Sequence, residues 1–242
     1  MPVIAVGHRG AAALAPENTL ASFARAEEIG VNQLELDLQT SSDGHVVVIH
    51  DASVDRTTNG TGAVADLTFE QLRVLDAGDG ATIPTFAEVL DATSVSLQVE
   101  IKATTAIEPA VELLRQRPED ARRCEPTSFD AATVGRLAEL LPDACVGLIR
   151  KVAGPDVLDE AASLGARRVL VGLESADEAF VRAARERGFR VDLWPIRTAD
   201  DVRRVVELGA DGFTLDDPRL VADAGFRMTP DGLVGVDVPA RS

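Results

Sequence analysis

The chain has 242 residues, 45% of them hydrophobic, with 40 acidic against 24 basic side chains and a formal charge of −16. That size and apolar content allow a core that needs no staples. The charge argues against nucleic acids and anionic membrane surfaces as partners, because both are held by basic patches.

Two cysteines, Cys124 and Cys145, are too few for a disulfide framework and match no zinc spacing, so both read as buried, inert thiols. There is no run of about 18 apolar residues, so no stable membrane insertion is expected. The start "MPVIAVGHRG" lacks the charge, apolar length and cleavage site of a signal peptide, and the expected compartment is the cytoplasm.

"PVIAV" opens a first strand over 3–7, and "PENTLASFARAEEIG" follows as a helix with Leu20, Phe23 and Ala24 on one face and Gly30 as its stop. A second strand covers 33–38. The link "TSSDGH" then predicts a hairpin centred on Asp43-Gly44, a pair favoured in two-residue type I′ turns. "GHVVVIH" becomes an antiparallel arm, and reflection across that turn sets Asp37 opposite His50. Residues 51–84 carry turn residues and one short helix, "TFEQLRVL", and read as a small subdomain inserted over the strand ends. Phe69, Leu72 and Leu75 look like that insertion's own core.

Further strands are expected at 96–101, 123–128, 145–149, 168–172, 190–194 and 211–215. Helical stripes such as Val134, Leu137, Ala138 and Leu141 lie between them. Eight βα units in one chain of this length predict an α/β fold, a TIM (β/α)8 barrel forming a single domain over 1–242. A doubly wound open sheet is the alternative, but no G-x-G-x-x-G follows the first strand. The tail after about residue 222 reads as a surface segment without chemistry.

In such a barrel the active site lies at the C-terminal strand ends. The chain's three histidines all fall within its first fifty residues. His8 and Arg9 end the first strand, Glu35 and Asp37 share a face of the second, and Glu100 and Lys102 share a face at the end of "SLQVEIK". Leu34, Leu36 and Leu38 occupy the helix-facing side, which turns the carboxylates inward. Buried carboxylates without a cation are costly. Glu35, Asp37 and Glu100 therefore form either an oxygen-ligand site for Mg²⁺ or Ca²⁺ or ion pairs with Arg9 and Lys102. Singly, His8 or His50 reads equally as a satisfied core histidine. Together beside carboxylates they suit general acid and base work at phosphorus, with Arg9 and Lys102 on the phosphate oxygens. His45 reads as exposed and uninvolved.

The blocks "HRG…PENT…F", "ELD", "HD…DRTTNGTG", "IPTFAEVL" and "VEIK", in that order, resemble the glycerophosphodiester phosphodiesterases. "TSF" at 127–129, "DLW" at 192–194 and "TLDDP" at 214–218 extend the likeness over nearly the whole chain. The resemblance implies a TIM barrel with an insertion after the second histidine. It also implies metal-dependent hydrolysis of glycerophosphodiesters, such as glycerophosphocholine or glycerophosphoethanolamine, to sn-glycerol 3-phosphate and an alcohol. On that reading Glu35, Asp37 and Glu100 hold one divalent cation, and His8 and His50 are the acid/base pair. Arg9 and Lys102 bind phosphate, and Trp194 either walls the pocket or packs the barrel top. Lysophospholipase D activity on the same fold is the alternative. A non-catalytic barrel would be expected to lack one of these residues, and a sugar-phosphate isomerase or aldolase to carry a different phosphate loop or lysine.

The chain departs from the family pattern at two places. Pro195, Ile196 and Arg197 follow the tryptophan, and Leu215-Asp216 stands where Thr-Asp is common. Arg197 either favours an additional negative group on the substrate or pairs with Asp216 or Asp217.

Overall fold

The computed structural model describes residues 2–236. Strands β1 (Ile4–Gly7), β2 (Gln33–Thr40), β3 (Val46–Val48), β4 (Ser96–Ile101), β5 (Cys124–Ser128) and β6 (Gly147–Arg150) are followed by β7 (Arg168–Gly172), β8 (Arg190–Ile196) and β9 (Gly212–Leu215). All but β3 are parallel neighbours, and β1 pairs with both β2 and β9, which closes the sheet into a TIM barrel. An open doubly wound sheet has no such closing pair. Leu34, Leu36 and Leu38 are fully buried against the outer helices, so the intervening side chains of β2 fill the interior.

The first helix, Leu20–Ile29, starts later than expected because Thr19 caps it, accepting from the Ser22 amide. Its buried face is Ser22, Phe23 and Ala26, while Leu20 and Ala24 are exposed. The predicted face was rotated because the Ser22 hydroxyl is drawn inward, donating to Arg9 O (2.8 Å) and accepting from Ala11 N (2.9 Å).

The hairpin is present, but its register is one residue from the one predicted. Leu38 pairs with Val48, and the Ile49 amide donates to Asp37 O (3.0 Å), so Asp37 lies opposite Ile49 and not His50. A type I′ turn needs φ > 0 at both central residues, whereas only Gly44 is left-handed here (φ 86°). Asp43 is held otherwise, its carboxylate accepting from Ser41 Oγ (2.6 Å) and the Phe69 amide (2.9 Å). The result is a three-residue loop closed by Ser41 N donating to His45 O (3.0 Å).

β3 and the segment after it build a separate apolar cluster of Val47, Ile49, Val54, Val64, Leu72, Ala77 and Ile83. Phe69 and Leu75 pack against it. Its helix, Phe69–Arg73, begins with a Thr68–Gln71 capping box.

The C-terminal stretch is more than a surface segment. Phe226–Thr229 (β10) and Gly232–Gly235 (β11) pair as an antiparallel hairpin, with Phe226, Met228 and Leu233 packed on the main core. Leu233 N donates to Val3 O (2.9 Å), and Asn32 Nδ2 donates to Thr229 O (2.6 Å). Their alternation was the overlooked signal. Residues 237–242 of that tail lie outside the described residues.

Low in the barrel, the fully buried Arg168 pairs with Asp192 and Glu125 (2.6 Å each) and donates to Gln98 (2.9 Å) and Gln33 (3.3 Å). No helix among the described residues is long and apolar enough to cross a membrane.

Candidate active site

The site begins with a tight turn. After β1 the chain reverses through Arg9 (φ 50°) and Gly10 (φ 88°), and a Cβ on Gly10 would lie 2.4 Å from Ser22 Oγ. Only glycine fits there. The left-handed Arg9 points its amide at Glu35 Oε2 (2.9 Å), while its guanidinium spans Glu17 (2.6 Å) and Asp37 (3.4 Å).

Glu35, Asp37 and Glu100 offer oxygens that all lie within 4.8 Å of one another, and all three side chains are buried. Lys102 Nζ reaches Glu100 (2.7 Å) and Asp37 (3.5 Å). Asn18 Nδ2 donates to Asp37 Oδ2 (2.8 Å). Burial, reinforced by the neighbouring Asp37 charge, pushes the Glu35 carboxyl up to about 8, and Glu100 rises for the same reasons. Glu35 Oε1 and Asp37 Oδ1 are buried with no hydrogen-bond partner. Converging hard oxygens with unfilled valence and too little positive charge fit a divalent cation of the Mg²⁺, Ca²⁺ or Mn²⁺ type.

Both histidines are anchored through Nδ1, leaving Nε2 for the cavity. His8 Nδ1 is 2.6 Å from Asp216, and its Nε2 is 3.8 Å from Glu35. His50 Nδ1 is 2.6 Å from Asp51, whose carboxylate is shared with Arg56 (2.6 Å). Burial works against the imidazolium at both. At His8 the Asp216 and Glu35 carboxylates outweigh it, and the pKa lies above its ordinary value. At His50 burial wins, aided by Arg9 and Lys102, and the pKa is lowered.

These groups line a cavity of about 330 Å³ at the C-terminal strand ends. His8, Arg9, Glu35, His50, Glu100 and Lys102 form one wall. Asp37, fully buried behind Arg9 and Lys102, does not itself line the cavity. Phe129, Lys151, Trp194 and Arg197, which sit at the ends of β5, β6 and β8 further round the barrel, complete the lining. Trp194 meets Phe129 edge-on (5.6 Å), and Lys102 Nζ lies over the Phe129 ring (5.7 Å). The eight residues singled out for the site are thus brought together, while His45 stacks on Phe69 at the insertion, away from the cavity. Leu215 is buried, and its neighbour Asp216 lines the cavity.

Sequence reasoning missed Asn18, Asp51, Asp216 and Lys151. Asp51 was signalled by its adjacency to His50, and Lys151 by sitting two residues beyond Ile149, as Lys102 sits beyond Glu100. In the sequence Asp216 offers itself only as a partner for Arg197, because its approach to His8 needs the closed barrel.

The model of the glycerophosphoryl diester phosphodiesterase family matches residues 8–220. The chain belongs to this family. It is 32% identical over 232 residues to a glycerophosphodiester phosphodiesterase of Caldanaerobacter subterraneus subsp. tengcongensis, covering 90% of this chain and 96% of that one. A phosphodiesterase of Oleispira antarctica, solved with its product sn-glycerol 3-phosphate, superposes with a TM-score of 0.85 at 25% identity, covering 92% and 96% of the two chains. A glycerophosphodiester phosphodiesterase of Thermotoga maritima gives 0.79 at 25% identity, covering 93% and 99%. As a family member the protein is an enzyme, a hydrolase of glycerophosphodiesters, and its substrates are small molecules.

Proposed function

We propose that the chain, acting as one catalytic unit of barrel and insertion, hydrolyses deacylated phospholipid diesters with the help of one divalent cation. Glycerophosphocholine and glycerophosphoethanolamine exemplify the substrates, and sn-glycerol 3-phosphate and the free alcohol are the products. The observation that carries this reading is the buried carboxylate trio with two orphaned oxygens, flanked by two aspartate-anchored imidazoles.

Glu35, Asp37 and Glu100 would hold the cation. When bound, it supplies Lewis-acid polarisation of the phosphoryl group. Arg9 and Lys102, already fixed by carboxylates, hold the non-bridging oxygens and offset their charge. His50 Nε2 takes the proton of the attacking hydroxyl. Asp51 orients its ring but divides its own charge with Arg56, which keeps the imidazole neutral. His8 Nε2 delivers a proton to the departing alkoxide, because Asp216 favours its protonated form.

A headgroup diester is favoured over a lysophospholipid. Leu72 is fully buried in the insertion's own core, with Phe69 and Leu75 packed on it, so these residues build no groove. A cavity of about 330 Å³ is at the small end of ligand sites and leaves an acyl chain outside.

The test is release of sn-glycerol 3-phosphate from both diesters in EDTA, then with Mg²⁺ or Ca²⁺ restored. Turnover returns with the metal, and His8→Ala and His50→Ala each lose about 10²- to 10⁴-fold in kcat while still binding the cation. Full activity in EDTA, or in either histidine variant, overturns the mechanism.

A further inference from the structure

Of the 24 basic residues only two are lysines, Lys102 and Lys151, and both line the cavity. Lys102 is engaged by carboxylates. Lys151 is not. It follows β6 directly, and Ile149, two residues earlier, also faces the cavity. The intervening Arg150 turns outward to pair with Glu160.

Arg197 reaches the same cavity through an irregularity in β8. The pairing of β8 with β9 shifts between Leu193 and Ile196. Ile196 is thereby buried in the core, while Trp194, Pro195 and Arg197 all line the cavity. The carboxylates that the sequence offered to Arg197 are taken, Asp216 by His8 (2.6 Å) and Asp217 by Arg219 (2.7 Å). Among the described residues, Lys151 and Arg197 are therefore two cavity-lining cations without a carboxylate, in a chain with 40 acidic side chains.

Their backbones are held in place. A Cβ on Gly172 would stand 2.3 Å from Lys151 O, and Ala153 N donates to Ser175 Oγ (2.8 Å). Arg197 N donates to Asp201 Oδ2 (3.0 Å) beside the Thr198 cap of the next helix. Apolar Phe129, Ile149 and Leu170 also line the cavity. The phosphoryl group already has Arg9 and Lys102 on the wall with the carboxylates. Two more cations at the ends of β6 and β8, away from β1, β2 and β4, match a second anion, and the glycerol half of the substrate carries none.

We propose that Lys151 and Arg197 form a subsite for an oxyanion on the leaving alcohol, so that the preferred diesters have an alcohol bearing its own carboxylate or phosphate. This rests on the hydrolase reading above and narrows its substrate class. Such a pair of exposed charges is worth about 1–2 kcal/mol, or about five- to thirtyfold, and weakens with salt.

Two matched pairs test it. Glycerophosphoserine differs from glycerophosphoethanolamine by one carboxylate, and glycerophosphoglycerol 3-phosphate from glycerophosphoglycerol by one phosphate. The wild type is expected to favour the anionic member of at least one pair by about fivefold or more in kcat/KM. Calorimetric titration of the EDTA-treated protein reads the same preference without turnover. In the variant carrying Lys151→Gln and Arg197→Gln, the ratio within that pair falls to near one. The responding pair tells carboxylate from phosphate. A wild-type ratio near one in both pairs, or a double variant that weakens both members equally, overturns the subsite. Absence of turnover on all four diesters, with the binding preference intact, overturns the hydrolase reading and leaves the subsite standing.

Discussion

The barrel buries two charged clusters, one low and one high, and they are balanced differently. In the lower one Arg168 and Arg190 face Glu125 and Asp192, two charges of each sign. Glu125 is half-buried, and its arginine partners hold its pKa below the ordinary carboxylate range. In the upper one Glu35, Asp37 and Glu100 face Arg9 and Lys102, and Arg9 is shared with Glu17. There Glu35 is pushed up to about 8. The lower cluster is neutralised within the chain and serves the fold. The upper one lacks a positive charge, and that deficit is what equips it for a cation.

Breaking the lower cluster should have the largest effect on stability. Arg168→Met leaves the buried Asp192 without its partner and Glu125 with Arg190 alone, an expected loss of about 3–5 kcal/mol in urea unfolding. A loss below 1 kcal/mol would mean that water or rearrangement satisfies those carboxylates, and the contrast between the clusters would weaken.

The upper cluster should behave in the opposite sense. Glu35→Gln removes one of three crowded carboxylates, so the cation-free protein should be at least as stable as wild type while turnover disappears. It should also forfeit the stabilisation that Ca²⁺ or Mg²⁺ gives the wild type, about 2.7 kcal/mol at a hundred times the Kd. Thermal melts with and without the cation report both. An unchanged cation response would remove Glu35 from the ligand set.

A third effect is one of pH. Glu35 titrates near 4.5 when unfolded and near 8 when folded, so between those values the native state holds the extra proton. Its contribution is full below about pH 4.5 and is lost as the pH rises towards 8, with a slope of at most about 1.4 kcal/mol per unit. Glu125, shifted the other way, contributes above the ordinary carboxylate range and loses that contribution as the pH falls through its lowered folded pKa. Cation-free protein should therefore soften between pH 5 and 8, and excess Ca²⁺ should abolish the softening. A flat profile without the cation would contradict the charge deficit.

Much of this was legible in sequence. All eight barrel strands lie within two residues of their expected bounds, because apolar runs closed by turn residues mark them well. The inward carboxylates followed from Leu34, Leu36 and Leu38 facing out. The hairpin register did not follow, since the Asp43 carboxylate bonds to the distant Phe69 amide and overrides the local Asp-Gly preference. His50 still reaches the cavity because β3 stops at Val48 and the chain beyond it is free of strand alternation. The His8–Asp216 pair joins residues 208 positions apart and exists only because β9 closes on β1. No spacing rule announces a contact made by ring closure. Arg197 stands out in the sequence, but its lack of a carboxylate partner follows only from the pairing of Asp216 with His8 and of Asp217 with Arg219.

The insertion's separate apolar cluster has a consequence for how the enzyme fails. His50, Asp51 and Arg56 all belong to a segment that packs on a cluster of seven buried side chains, one of them Val47 of β3, against the far larger core that supports the barrel. A unit with so small a core opens at a lower free-energy cost than the barrel. Each such opening would carry away His50, the proposed base, and Asp51 with it, while His8 stays in place on the barrel. On the proposed mechanism, activity should therefore be lost on warming below the temperature at which helical circular dichroism melts, and should return on cooling; coincident loss of both signals would contradict this.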